Sequence, residues 1–468
     1  MRVATRMMSW AGVLPAGVIL AVIARQYSDA ALFDWLAGIL GIATVAVFSI
    51  NARFSRAIFV AIGVALTLWA VLSRGDWFDG VAAAARSGSL ILATFTALVA
   101  LRSAAITSAG IVECGRFLAR QRPGLRYVAL TIGGHLFGLI LLYGAISLLG
   151  SLATESAAAE PDPEIRRHRT RRMLVAIQRG FISTLCWSPL AFSMVISTAL
   201  VPGASWSGAV LFCLVNALIL MVGGWAMDTI FKPQLTNPPP PRAAETGRWL
   251  TNLRPLLVLL SIVVAAVAVL HQLTGVSVVG AVITLVPLIA LVWIYVQDPQ
   301  DGVTRAAYTG RRAAHFVLQE LPGYRGEMVL LFMAAYIGSL GNFILVPLLA
   351  AQGISFAAVP PLVILLALVW IIPVTGQIGM NPILAVSLIL PLLPAPAAMG
   401  VSPAVVITAI TAGWALSGTT SPFTASVLLV GQLGGIPPRD VGLVWNRGYV
   451  LVMGMVLSLW VTALYLLL

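Results

Sequence analysis

The stretch Gly413-Trp414-Ala415-Leu416-Ser417-Gly418-Thr419-Thr420-Ser421-Pro422-Phe423-Thr424-Ala425-Ser426 lies inside a hydrophobic run, yet its middle is made of small hydroxyls, a glycine and a proline. Proline removes a backbone donor, and with the glycine it predicts a broken helix. The freed amides and carbonyls cannot face lipid, so they must face protein or a polar cavity. The same pattern occurs earlier, as Gly180-Phe181-Ile182-Ser183-Thr184-Leu185-Cys186-Trp187-Ser188-Pro189-Leu190-Ala191-Phe192-Ser193. Both read Gly, aromatic, six residues, Ser-Pro, three residues, Ser, and Pro189 and Pro422 stand 233 residues apart (422 − 189) in a chain of 468. Paired interrupted segments in corresponding halves point to the binding site of a transporter.

Composition sets the frame. The chain is 60% hydrophobic and 9% charged, with mean hydropathy +0.98, against about 25% charged in soluble domains. The apolar runs are long rather than alternating, so the reading is an all-α polytopic membrane protein and not a barrel. The net charge of +12 comes from arginines between the runs. It suits anionic lipid headgroups, with no nucleic-acid partner. Cys114, Cys186 and Cys213 lack metal or disulfide spacing and read as small apolar packers. Arg2 and Arg6 ahead of Met7-Met8 open a first span rather than a cleaved leader.

Spans of about 20 apolar residues are expected near 8–24, 31–50, 57–73, 80–102, 206–230, 254–271, 275–296, 328–352 and 443–468. Interrupted segments fall at 174–201 and 401–432. Polar loops are expected at 154–172 and 297–327, and Arg116–Arg122 reads as an amphipathic interfacial helix stopped by Pro123-Gly124. The segments 127–152 and 358–395 are decided by the positive-inside rule. If 127–152 crosses, the Arg116–Arg126 and Arg166–Arg172 clusters fall on opposite sides. If both segments are re-entrant hairpins, these clusters join Arg305–Arg325 on one side, and the charge-free stretch 328–438 is explained. The expectation is therefore about 11 transmembrane helices plus two re-entrant hairpins, arranged as two inverted-topology repeats with broken helices. The domains are an extra span (1–30), a first repeat (31–230), a linker with Pro238-Pro239-Pro240-Pro241 (231–253) and a second repeat (254–468).

This layout resembles the ion transporter superfamily, which includes divalent anion/sodium symporters, arsenite permeases and aminobenzoyl-glutamate-type transporters. The resemblance covers most of the chain by topology. It implies hairpin tips meeting the helix breaks, an elevator-like movement and a scaffold that forms a homodimer. The divalent-anion branch carries Ser-Asn-Thr at both hairpin tips. This chain offers Gly134-His135 in one hairpin and Gly376-Gln377 with Asn381 in the other.

Helix breaks present amides at a positive dipole end and free carbonyls at the other, suited to anions and sodium respectively. Candidate ligands are Ser183, Thr184, Ser188, Pro189 and Ser193 at the first break, and Ser417, Gly418, Thr419, Thr420, Ser421, Pro422, Thr424 and Ser426 at the second. Their oxygens are hard ligands; the ordinary alternative is that each hydroxyl bonds back to its own helix. His135 is the one titratable candidate for proton coupling. Arg102 either lies within its span or snorkels to the surface, and Asp228 and Glu113 are expected to pair with arginines. With no nucleotide loop, metal cluster or catalytic triad, no enzyme and no cofactor is expected. The function expected is secondary transport of a small anionic or polar solute, such as a carboxylate, coupled to sodium, in the cell inner membrane. The alternatives are a proton-coupled or uncoupled exporter of the same fold, a flippase for a lipid-linked substrate, or a membrane-embedded enzyme.

Overall fold

Backbone that faces lipid or a dry core must satisfy its own hydrogen bonds, so the apolar runs fold as helices. The computed structural model describes residues 10–28, 30–50, 54–232, 235, 248–297, 303–352 and 356–468, and no strand occurs among them. In chain order the helices are α1 (Val13–Gln26), α2 (Ala31–Ser49), α3 (Phe54–Ser73), α4 (Trp77–Ile106), α5 (Ala109–Ala119), α6 (Pro123–Leu141), α7 (Gly144–Ala158), α8 (Pro163–Trp187), α9 (Phe192–Leu200) and α10 (Trp206–Ile230). They continue as α11 (Trp249–Thr274), α12 (Val278–Val296), α13 (Arg305–His315), α14 (Arg325–Ala351), α15 (Pro361–Gln377), α16 (Pro382–Ile389), α17 (Pro403–Thr420), α18 (Ala425–Gly434) and α19 (Arg447–Leu467). Local signals set several starts. Asp162 caps α8 by accepting from Glu164 N–H (2.8 Å), with Pro163 in the first turn; Ser205 and Ser277 cap α10 and α12 in the same way.

Among the described residues, eleven helical segments are long and apolar enough to cross a membrane. The number agrees with the expectation, but one member differs. The described part of the first span, α1, has 14 residues, or about 21 Å at 1.5 Å per residue. By contrast, Gly124–Leu141 is long enough. The hairpin boundaries also move. The first runs from α6 through a turn at Leu142 and Tyr143 into α7, so it extends to Ala158 rather than stopping at 152. The second is α15, a turn at Ile378–Asn381, and α16.

The charged segment 154–172 is not a loop. Its Ala, Glu and Arg residues are good helix formers, so α7 runs to Ala158 and α8 begins at Pro163. The polar segment 297–327 likewise holds α13 and a π-helical turn, Phe316–Glu320. Asn237–Pro241 of the Pro-rich linker lies outside the described residues, as do Arg2 and Arg6. All three cysteines are buried and free.

Two compact units divide the chain, and each draws on both halves. The first contains the described residues of Met1–Ala105, Val263–Ala358 and Val386–Pro394. In it Phe332 packs against Gly41 and Gly88, Arg312 donates to Ser103 Oγ (3.0 Å), and half-buried Arg102 lies 5.7 Å from the Tyr324 ring centre. The second contains the described residues of Ile106–Ile262, Val359–Ala385 and Ala395–Leu468. It holds α6 to α10, the turn between α15 and α16, and α17 to α19. Its central segments are the most buried of all: in their most apolar stretches, 89% for Pro163–Leu200 and 94% for Pro403–Gly434, against 11% for Arg56–Ser73.

Candidate functional site

Both Ser-Pro sequences break their helices, and they break them alike. Ser188 ends α8 at φ −66, ψ 129, and Ser421 ends α17 at φ −67, ψ 121. Each serine N–H closes the last helical turn, onto Thr184 O (3.0 Å) and Ser417 O (2.8 Å). Each serine Oγ accepts from the amide two residues on, Leu190 (3.2 Å) and Phe423 (3.3 Å). Each serine carbonyl accepts from the amide three residues on, Ala191 (3.0 Å) and Thr424 (3.1 Å). Finally, Ser193 and Ser426 reach back across the breaks to the carbonyls of Leu185 and Gly418. Every pair differs by the same 233 positions as the prolines. Pro189 and Pro422 sit half-buried where the amide is not needed.

The breaks adjoin within the second unit, because Gly418 has no side chain and packs on Ile182 and Leu185 of α8. Each broken helix also lies directly on a hairpin arm. A Cβ at Gly180 would overlap the Thr131 carbonyl of α6, and one at Gly413 would overlap the Leu368 carbonyl of α15, the close backbone approach that small residues permit in membranes.

The hairpins meet the breaks through different groups. Ser421 Oγ donates to Gly376 O at the end of α15 (2.6 Å). Asn381 Oδ1 accepts from Ile383 N–H (2.9 Å) and so caps α16, while Gln377 bonds back to Pro373 O (3.3 Å). In the first hairpin the link is His135 Nδ1 to Ser183 Oγ (2.7 Å), with the imidazole stacked on Trp187 at 5.8 Å. Gly134-His135 is not at the tip, however: α6 continues through Leu141, and the turn comes at Leu142, whose φ is +52°. Gly134 instead lies against the Ile177 backbone of α8. A cavity of about 10 Å³, the size of one water, lies between Leu142-Tyr143 and the Ser188 break.

Five of the ten expected hydroxyl ligands bond to the backbone three or four residues back, four of them within their own helix. Ser183 donates to Gly180 O, Thr184 to Phe181 O, Thr419 to Ala415 O, Thr420 to Leu416 O and Thr424 to Ser421 O. All but Thr424 are buried. Of the candidate hydroxyls, Ser417 is the one whose Oγ is buried with no hydrogen-bond partner. It lies beside Gly376 and Ser421. A buried hydroxyl left unpaired costs about 1–3 kcal/mol, a cost that a ligand bonded to Ser417 at this corner of the second break would relieve.

Asp228 and Glu113 pair with arginines as expected: Asp228 takes a two-pronged contact from Arg172 (2.8 and 2.6 Å), and Glu113 takes Arg116 (3.1 Å). The sequence reading missed Arg179, which lies within 174–201, is buried, and bonds to Asn446 and Tyr127. Its signal was present: a lone cation inside an apolar run.

No family profile matches the chain, and no curated protein matches it. Several solved structures are similar, among them two transporters. The YdaH transporter of Alcanivorax borkumensis, whose topology is described as unusual, matches with a TM-score of 0.57 at 16% identity, covering 88% of this chain and 98% of its own. MtrF of Neisseria gonorrhoeae, described with a class of antimetabolite efflux pumps, matches with a TM-score of 0.55 at 14% identity, covering 90% of this chain and 98% of its own. Similarity at this identity is one of fold: this chain has the all-helical, multi-pass architecture of those two membrane proteins.

Proposed function

We propose that this protein is a secondary transporter of the ion transporter superfamily type, moving a small anionic or polar solute such as a carboxylate, coupled to sodium, across the cell inner membrane as a homodimer. The observation that carries the proposal is the pair of breaks: two hydrogen-bond patterns 233 residues apart, adjoining in one compact unit with a hairpin arm on each. Serine oxygens and helix-end carbonyls coordinate sodium without a carboxylate. In an elevator-type cycle the second unit, which holds both breaks, travels as one body. No catalytic role is assigned.

Proton-coupled export is the second reading. It is favoured by the His135–Ser183 contact and by the fold likeness to MtrF. Proteoliposomes loaded against imposed sodium or proton gradients separate the two, using a panel of organic anions. Sodium-stimulated uptake that survives His135→Gln is expected. Transport that ignores sodium, follows the proton gradient and is lost in His135→Gln overturns the sodium assignment.

A further inference from the structure

Away from the breaks, the second unit contains a cavity of about 450 Å³. It is lined by Arg171, Arg172 and Arg179 of α8, by Asp228 of α10, and by Trp445 and Tyr449 around the start of α19. His168, Arg172, Val175 and Arg179 recur at the three- and four-residue spacing that places residues on one helix face. Along α8, Arg179 is nine residues from Ser188, about 13 Å at 1.5 Å per residue.

The charges in the cavity do not balance. Arg172 and Asp228 neutralise each other through their paired contacts, leaving two guanidiniums. Arg179 is 7% exposed, and its partners are neutral: Asn446 Oδ1 (3.2 and 3.1 Å) and the Tyr127 hydroxyl (3.0 Å), with the Tyr449 ring 3.9 Å away. These bonds use three of its five N–H donors. Arg171 donates to the Trp445 carbonyl (3.5 Å) and lies 5.9 Å from that ring centre.

The setting holds Arg179 in place. Asn446 Nδ2 donates to Gln178 Oε1 (2.9 Å) and to Val441 O (3.1 Å), which turns its Oδ1 toward the guanidinium. A buried cation with only neutral partners is costly, and the cost is relieved when an anion joins it. Guanidiniums bind phosphate oxygens through paired, charge-assisted hydrogen bonds. A volume of about 450 Å³ exceeds a bare ion and falls in the range of organic-ligand pockets. Of the residues at its edge, Phe231 and Val444 are 72% and 64% exposed and offer apolar surface to an attached chain or backbone.

We propose that this cavity binds the phosphate group of an organic phosphate, held between Arg171 and Arg179. The site is separate from the breaks and does not depend on the transport reading. The phosphate comes either from an anionic phospholipid headgroup or from a soluble phosphate ester, and the test distinguishes them. Full-length protein is placed in phosphatidylcholine nanodiscs with or without phosphatidylglycerol. In parallel, phosphatidylcholine samples are titrated with glycerol 3-phosphate at matched ionic strength. Thermal unfolding is followed in wild type, Arg171→Gln and Arg179→Gln. A rise in Tm with phosphatidylglycerol alone assigns a lipid site; a rise with glycerol 3-phosphate assigns a soluble ligand. In either case Arg171→Gln, on the cavity wall rather than in the Asn446 network, is expected to weaken binding about tenfold or more. If Arg179→Gln fails to fold, Arg171→Gln decides alone. No Tm rise with either probe, or a full rise in Arg171→Gln, overturns the proposal.

Discussion

Ser421 joins three parts of the second unit: its N–H closes α17, its Oγ accepts from Phe423, and it donates to Gly376 of the hairpin. Ser421→Ala leaves the buried Gly376 carbonyl without that donor, a loss of about 1 kcal/mol in stability. It is expected to cut uptake severalfold at unchanged expression, whereas Ser261→Ala, at an exposed hydroxyl of α11, leaves uptake intact. Equal loss in both variants would show that the break has no special role. Bulkier replacements at Ser188 or Ser421 are expected to abolish transport, but these positions are 1% exposed, so Leu there also strains the packing by about 1–3 kcal/mol. Gly180 carries a different constraint. Gly180→Ala pushes a methyl into the Thr131 carbonyl and is expected to lower thermal stability by a similar amount, read as a Tm fall in detergent; an unchanged Tm would mean that α6 and α8 are less closely apposed than described.

At the scale of elements, the question is how each hairpin meets the bilayer. The arms α6 and α7 turn at Leu142-Tyr143, and α15 and α16 turn at Ile378–Asn381. The arginine distribution favours both hairpins entering and leaving on one side. Single cysteines at Arg167 and Arg311, in a background lacking Cys114, Cys186 and Cys213, are expected to be protected from an impermeant thiol reagent in intact cells. Cysteines at Gly203 and Gln352, both exposed positions, are expected to label. Labelling at Arg167 from outside would mean that α6 or α7 crosses the membrane, which the length of Gly124–Leu141 permits.

At the scale of the whole molecule, each compact unit is assembled from both halves of the chain. Hairpin ends, broken helices and the last spans α10 and α19 share one unit, so a ligand bound at the breaks acts on that unit first. Sodium is expected to slow amide exchange at residues 188–193 and 421–426 and to leave α2 and α3 unchanged, measured by hydrogen–deuterium exchange. Slowing confined to potassium, or absent with both ions, would count against sodium binding at the breaks.

Apolar length, the Ser-Pro breaks and their 233-residue repeat were legible because each is local: a proline cannot donate, and lipid forbids unpaired backbone. Those local facts determined the helical membrane fold, the place of both breaks and their likeness. Hairpin ends were less legible, since nothing in Leu142-Tyr143 announces a turn. Only the tertiary structure decided which oxygens are spent on their own helices, as at Thr419 and Thr420, and which of the candidate hydroxyls, Ser417, is left unpaired. It alone brought Arg179 onto Asn446 from 267 positions away. The physical reason is the same in each case: a polar group's partner is chosen by packing between distant helices, and hydropathy along the chain carries no record of it.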